Sequence, residues 1–207
     1  MRGFLRGLFS RSKQGVQAIL EHLLRRPTGQ VVRQPQPSQL EPWKLVNKGT
    51  RLGSLGRRQE AIACFDQALK RDPKNAVAWG AKGTSLAALG LHQEAIACYD
   101  RAIELDPKYA LPWEGKGSSL DSLGRDQEAV ACYDQAIELE PKLAAAWRNK
   151  GASLHILGSY QEAIACFDQA IELEPKDAFP WYNKGLSLDS LGRYQEAIAC
   201  YEARYRA

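Results

Sequence analysis

Apolar and small residues return along this chain with a helical beat, and the beat itself repeats every 34 residues. In the stretch AVAWGAKGTSLAALGLHQEAIACYDRAIELDPKY, residues 76–109, Trp79, Gly83 and Leu86 fall at i, i+4 and i+7, one face of a helix. Gly90 ends that run, in the way a left-handed residue ends a helix. A second stripe follows, made of Ala95, Tyr99, Ala102 and Ile103. Asp106-Pro107 stops it, because proline lacks an N–H and drives the residue before it out of the helical region. The unit is therefore a helix–turn–helix. Its small residues, Gly83, Ala95 and Ala102, predict a close approach of the two axes. Trp79, Leu86 and Tyr99 fill the spaces between them. Leu89, Ile96, Ile103 and Leu105 are left for neighbouring units to cover, so the pattern predicts a stack.

The period runs through most of the chain. Cysteines stand at 64, 98, 132, 166 and 200, and prolines at 73, 107, 141 and 175. Lys-Gly pairs begin at 48, 82, 116, 150 and 184, and Trp79, Trp113, Trp147 and Trp181 keep the same interval. Leu45 takes the place of the tryptophan that the first unit lacks. The pattern Trp-x2-Lys-Gly-x2-Leu, then Ala-x3-Tyr/Phe, then Pro, resembles the tetratricopeptide repeat (TPR) family from about residue 42 to the end. The resemblance implies an all-α, right-handed superhelical solenoid that binds a partner's peptide or helix in its concave groove. The units read 42–75, 76–109, 110–143, 144–177 and 178–207, the last incomplete.

Two departures from the family stand out. Lysine replaces the usual leucine before the first-helix glycine in every unit. One reading packs its stem between units with the ammonium on a carboxylate or in solvent; the other makes a row of cations for an anionic ligand. The fifth unit also decays, with Arg204 at the place of a small alanine. Arg204, Tyr205 and Arg206 cap the array, or the stack continues through a partner and so oligomerises, or the sequence is cut short.

Helical phase also places the groove. Opposite the packed face lie Trp43, Val46, Asn47 and Thr50 in the first unit, and Val77, Gly80, Ala81, Thr84, Ala87 and Ala88 in the second. The third gives Leu111, Glu114, Ser118, Asp121 and Ser122. The fourth gives Ala145, Arg148, Asn149, Ala152, His155 and Ile156; the fifth gives Phe179, Tyr182, Asn183, Leu186, Asp189 and Ser190. These side chains grow larger toward the fifth unit. Arg148 is the one cation among them, which argues against a carboxylate clamp. The apolar-aromatic patch Leu111, Phe179, Tyr182 and Leu186, bordered by Glu114, Asp121 and Asp189, suits an apolar segment with some positive charge.

Charge and cysteine content narrow the function. Residues 1–41 hold seven Lys/Arg and two Glu, whereas the remainder is close to neutral, so the repeats have no electrostatic footprint for nucleic acid. Residues 1–26 gather Leu5, Leu8, Phe9, Val16, Ile19, Leu20 and Leu23 on one face of a basic amphipathic helix. Residues 27–41 read as a flexible linker. Four roles compete for the helix: lying on an anionic membrane, targeting an organelle, folding back onto the first repeat or into the groove, and touching nucleic acid. The first two make the chain a membrane-surface or organelle-targeted recruiting factor, the alternative to a scaffold. The cysteines, one per unit, sit too far apart along a stack to bond or to share a metal, and five free thiols suit a reducing compartment such as the cytoplasm. GKGSS at 115–119 breaks the order of a phosphate loop. No catalytic set can be nominated by spacing, and neither a cofactor nor a metal is implied. The expectation is a non-enzymatic scaffold that binds protein segments.

Overall fold

The computed structural model describes residues 41–204, which form ten helices and no strand. The helices are α1 (Pro42–Ser54), α2 (Arg58–Arg71), α3 (Ala76–Ala87), α4 (His92–Leu105), α5 (Ala110–Ser122), α6 (Asp126–Leu139), α7 (Ala144–Ile156), α8 (Tyr160–Leu173), α9 (Ala178–Ser190) and α10 (Tyr194–Arg204). Odd-numbered helices open a repeat and even-numbered helices close it, giving five hairpins stacked in order. The readings of residues 1–26, of the linker up to residue 40, and of Tyr205 and Arg206 lie outside the described residues.

Each hairpin turns on one glycine. Gly90 has φ 79°, and the Leu91 N–H donates back to the Leu86 carbonyl at 3.0 Å. That six-to-one bond is the helix-ending motif that requires a left-handed residue. It recurs in every repeat, with Gly124 and the Arg125-to-Leu120 bond (3.0 Å) in the third. Changing Gly124 to alanine forces a side chain into the left-handed region and is expected to lower stability by about 1–2 kcal/mol, read as the urea midpoint. A shift within error would show that this turn relaxes at no cost.

The closing helices end where proline follows. Asp72, Asp106, Glu140 and Glu174 hold extended dihedrals before their prolines. The turn after each proline is tied down by the tryptophan of the next helix. The Trp79 indole N–H donates to the Pro73 carbonyl at 3.0 Å, and Trp147 does the same to Pro141 at 3.0 Å. Tryptophan therefore packs its ring and also satisfies an orphan carbonyl at the repeat boundary.

Packing follows the size code. The glycines Gly49, Gly83, Gly117 and Gly151 lie flat against Phe65, Tyr99, Tyr133 and Phe167; a Cβ at Gly117 would stand 2.7 Å from the Tyr133 ring edge. Ile96 and Ile164 are buried in the core of the repeat that follows them. Two expectations are corrected. Leu89 is not covered by a neighbour: it is 39% exposed, because the turn at Gly90 swings it off the rim. Val46 is not on the groove: it is 7% exposed, packed beside Leu45 in the first core.

The lysine column resolves into a ladder between repeats. Lys82 reaches Asp66 at 2.7 Å, Lys116 reaches Asp100 at 2.6 Å, Lys150 reaches Asp134 at 2.6 Å, and Lys184 reaches Asp168 at 2.5 Å. Lys82, Lys116 and Lys150 also lie over their own tryptophan rings, 5.6–5.9 Å from the centroids. These cations are spent on the stack and do not form a free row for an anion. Pairs as exposed as these contribute about 0–1 kcal/mol each, so they set register more than stability.

Candidate functional site

Successive odd-numbered helices touch one another more than successive even-numbered ones, so α1, α3, α5, α7 and α9 form the inner layer. Several positions vary along that layer, and one of them changes chemistry from repeat to repeat: Gly53, Ala87, Asp121, His155 and Asp189. In the later repeats this position reaches forward to a buried serine of the next helix. Ser153 donates to Asp121 Oδ1 at 2.8 Å, and His155 Nδ1 lies 2.9 Å from Ser187 Oγ. The Ser187 hydroxyl also lies 3.0 Å from the Asn183 carbonyl, so the serine bridges its own helix and the histidine. Gly53 and Ala87 have no side chain that could make this bond.

The aromatic partner follows the same position. Tyr133 donates its hydroxyl to Asp121 at 2.6 Å and Tyr201 to Asp189 at 2.6 Å, whereas phenylalanine stands where the partner position is Gly53 or His155; the second repeat departs from this, pairing Ala87 with Tyr99, whose hydroxyl turns to Thr84 instead. Burial pushes the Asp121 carboxyl above the usual range, although Tyr133 and Ser153 pull it back. The Tyr133 hydroxyl is pushed far up by burial and by the Asp121 charge. Burial likewise pushes Tyr99 up to about 12; its hydroxyl lies 3.3 Å from Thr84 Oγ1.

Where the brace is missing, a cleft opens. It has a volume of about 540 Å³ and lies between α1, α3 and α5. Gly53, Gly80, Ala81, Thr84 and Ala88 form its small-residue walls, Phe65, Tyr99 and Tyr109 its aromatic ones. Val77 and Leu111, 53% and 49% exposed, stand on its edge, and Arg58 and Ser54 complete the rim. The lining is mostly apolar carbon, which favours an apolar side chain displacing water.

The groove residues read from sequence fall into three groups. Val77 and Leu111 belong to the cleft, with Asn47 exposed on α1 beside it in sequence. Glu114, Asp121, Arg148, Asn149, His155 and Asp189 are engaged within the array. Asn149 donates to Glu114 at 2.9 Å, and Arg148 pairs with Asp177 at 3.0 Å while its guanidinium lies 5.5 Å over the Phe179 ring. Burial pushes the Glu114 carboxyl up, opposed by Arg148 and Asn149. Phe179 and Tyr182 remain 46% and 40% exposed on α9, with Leu186 and Asn183 half-buried beside them; Asn183 donates to the Phe179 carbonyl at 2.9 Å. Phe179, Tyr182 and Leu186 are not among the cleft walls, so the structure divides the aromatic patch from Leu111. Thr50, Gly53, Phe65, Tyr99 and Tyr109 complete the cleft; the sequence signal for it was the glycine at 53.

The five cysteines are buried and free. Burial pushes each thiol up, Cys166 to about 11, so they pack as small apolar groups and are poor nucleophiles at neutral pH. Among the described residues, no group of three or more His, Cys, Asp and Glu side chains is placed to hold a metal ion.

Family models described as tetratricopeptide repeat match residues 46–110, 144–177 and 166–199, and one described as TPR repeat matches 117–158. No curated protein matches the sequence. Solved structures share the fold at low identity. MamA from Desulfovibrio magneticus RS-1 is 18% identical with a TM-score of 0.72, over 80% of this chain and 93% of that one. YrrB, described as a TPR protein with an unusual peptide-binding site, is 22% identical with a TM-score of 0.65, over 77% of this chain and 82% of that one. A thermophilic TPR protein of Thermus thermophilus is 23% identical with a TM-score of 0.66, over 80% of this chain and 90% of that one.

Proposed function

Because the chain belongs to the tetratricopeptide repeat family across residues 46–199, we propose that it is a protein-interaction scaffold, and that the cleft between α1, α3 and α5 holds a segment of its partner. The observation that carries this reading is the cleft itself. The inner layer is filled and braced in the later repeats by Asp121, His155 and their serine partners. In the first repeat the same position is Gly53, and a mostly apolar hollow of about 540 Å³, lined by Gly53 and by Ser85 of the next opening helix, stands in its place. A volume of that order admits one or two apolar side chains of an extended or helical peptide. Glu114 and Asp121 are engaged internally, so charge complementarity to a cationic segment is a weaker part of the reading than apolar fit.

The cleft can be filled from α3. Thr84 is exposed on α3, and a tryptophan there occupies the hollow from within. A library of random twelve-residue peptides displayed on phage would be selected on the full-length chain, and the enriched peptides titrated against it and against Thr84→Trp. The expected result is enrichment of peptides with large apolar residues, whose affinity falls about tenfold or more in Thr84→Trp while the circular dichroism spectrum stays that of the parent; the thermal midpoint falls only by what the Tyr99 hydroxyl loses with its Thr84 partner. No enrichment, or peptides indifferent to Thr84→Trp, overturns the placement.

A further inference from the structure

The outer face of α10 repeats an interface that the array makes four times, here without a covering helix among the described residues. At each inner boundary an aliphatic residue of the closing helix enters the core of the next repeat: Ile62, Ile96, Val130 and Ile164 all pack this way. The equivalent Ile198 is 50% exposed. At each boundary an aspartate of the closing helix receives the lysine of the next opening helix. The equivalent Glu202 is exposed and has no ion pair among the described residues. At the third boundary Asp121 takes the tyrosine hydroxyl on one oxygen and the next repeat's Ser153 on the other. The equivalent Asp189 takes the Tyr201 hydroxyl on Oδ2, and its Oδ1 accepts no hydrogen bond among the described residues.

We propose that this face docks a helix of a partner protein whose chemistry is that of the chain's own opening helices. Translating the inner boundaries by one period states what the helix must carry. It needs a lysine for Glu202, a tryptophan three residues before it, and alanine or proline four residues before it. It also needs a serine three residues after the lysine, for Asp189. These are the spacings of Pro180, Trp181, Lys184 and Ser187 in α9. Interface continuity thus supplies both the apolar contact and the charge match. A second copy of this chain is not that partner. Its α1 has Lys44 where the other opening helices bury alanine or proline, and Arg51 where they bury serine. The Arg204 guanidinium lies over the Tyr182 ring at 4.8 Å.

The probe is a peptide of residues 177–192 of this chain, fluorescently labelled. It is held helical by a lactam between positions 179 and 183, because a free helix of this length is marginal. It is titrated with the full-length chain by anisotropy. Saturable binding is expected, about tenfold or more weaker in Ile198→Asp. Glu202→Lys should weaken it by about threefold, and Glu202→Lys should regain the affinity with a peptide carrying Lys184→Glu. The proposal is overturned by an absence of binding at about 1 mM. It is also overturned if affinity follows Thr84→Trp and ignores Ile198→Asp, which would put the peptide in the cleft. Concentration-dependent sedimentation of the chain alone, abolished by Ile198→Asp, would assign the face to a second copy and overturn the choice of partner.

Discussion

Replacing Tyr133 by alanine is expected to remove about 3–5 kcal/mol of stability, the range found when a buried aromatic side chain is deleted. Its residue is fully buried in the middle repeat, among Leu120, Ala129, Cys132, Ala136 and Ala146, and Ile96 of the preceding repeat enters the same cluster. The upper part of that range applies because the wall opposite the ring cannot close the hole. On the α5 side the ring lies directly against Gly117, which has no side chain to move into the space. A repeat array depends on nearest-neighbour interfaces, so a weak middle unit uncouples the two ends. The measurement is urea unfolding of the full chain followed by circular dichroism. The expected curve is displaced to lower urea and broader than the parent's. A displacement worth less than about 1 kcal/mol would mean that the hairpin is not held by this ring. Gly117→Ala tests the same contact from the other side. The added methyl group gains about 1 kcal/mol of helix propensity, yet overpacking against a buried ring costs about 1–3 kcal/mol, so the net sign is expected to be destabilising.

That contact was legible in the sequence, since glycine and a large aromatic recur at a fixed spacing and both helices show their faces by periodicity. So were the glycine turns and the proline stops, which rest on local backbone chemistry. What one unit does not contain is the rise and rotation from one unit to the next. Lys82 and Asp66, or Asp121 and Ser153, are separated by 16 and 32 residues, and only the stacking geometry brings them together. The sequence therefore shows a lysine column without its acceptors and an Asp121 that looks free for a ligand. Leu89 and Val46 fail for a related reason. Phase along a helix says which side a residue occupies, but not how far the neighbouring helices reach: the turn carries Leu89 past its neighbour's edge, whereas Val46 is covered within the first core. The cleft is a missing side chain, written as Gly53 in a series whose later members are Asp121, His155 and Asp189. It becomes visible only once the later members are seen to be braces.

Asp121→Ala tests that brace, with an expected loss of about 2 kcal/mol at neutral pH. The Ser153 hydroxyl keeps an acceptor, the Asn149 carbonyl at 3.1 Å, so its share is small. The Tyr133 hydroxyl has none left, in a residue with no exposed surface, and an unsatisfied buried donor costs about 1–3 kcal/mol. Tyr133→Phe removes that donor, so the double variant Asp121→Ala/Tyr133→Phe should be about 1 kcal/mol more stable than Asp121→Ala alone. The pH dependence has a definite sign. Burial holds the Asp121 carboxyl above its ordinary range, so the folded state binds its proton more tightly than the unfolded state does. Ionising it therefore costs stability, and the cost is relieved as the pH falls through the raised value. The alanine variant lacks this relief, so the gap between parent and variant should be wider at about pH 4 than at neutral pH. Glu114 is shifted in the same direction by burial, but it is present in both chains and cancels in the difference. An equal gap at both pH values would show that Asp121 is solvated in the folded chain. No recovery with Tyr133→Phe would show that the tyrosine hydroxyl finds water when the carboxylate is gone. Either outcome removes the brace as the reason the later repeats are closed where the first ones are open.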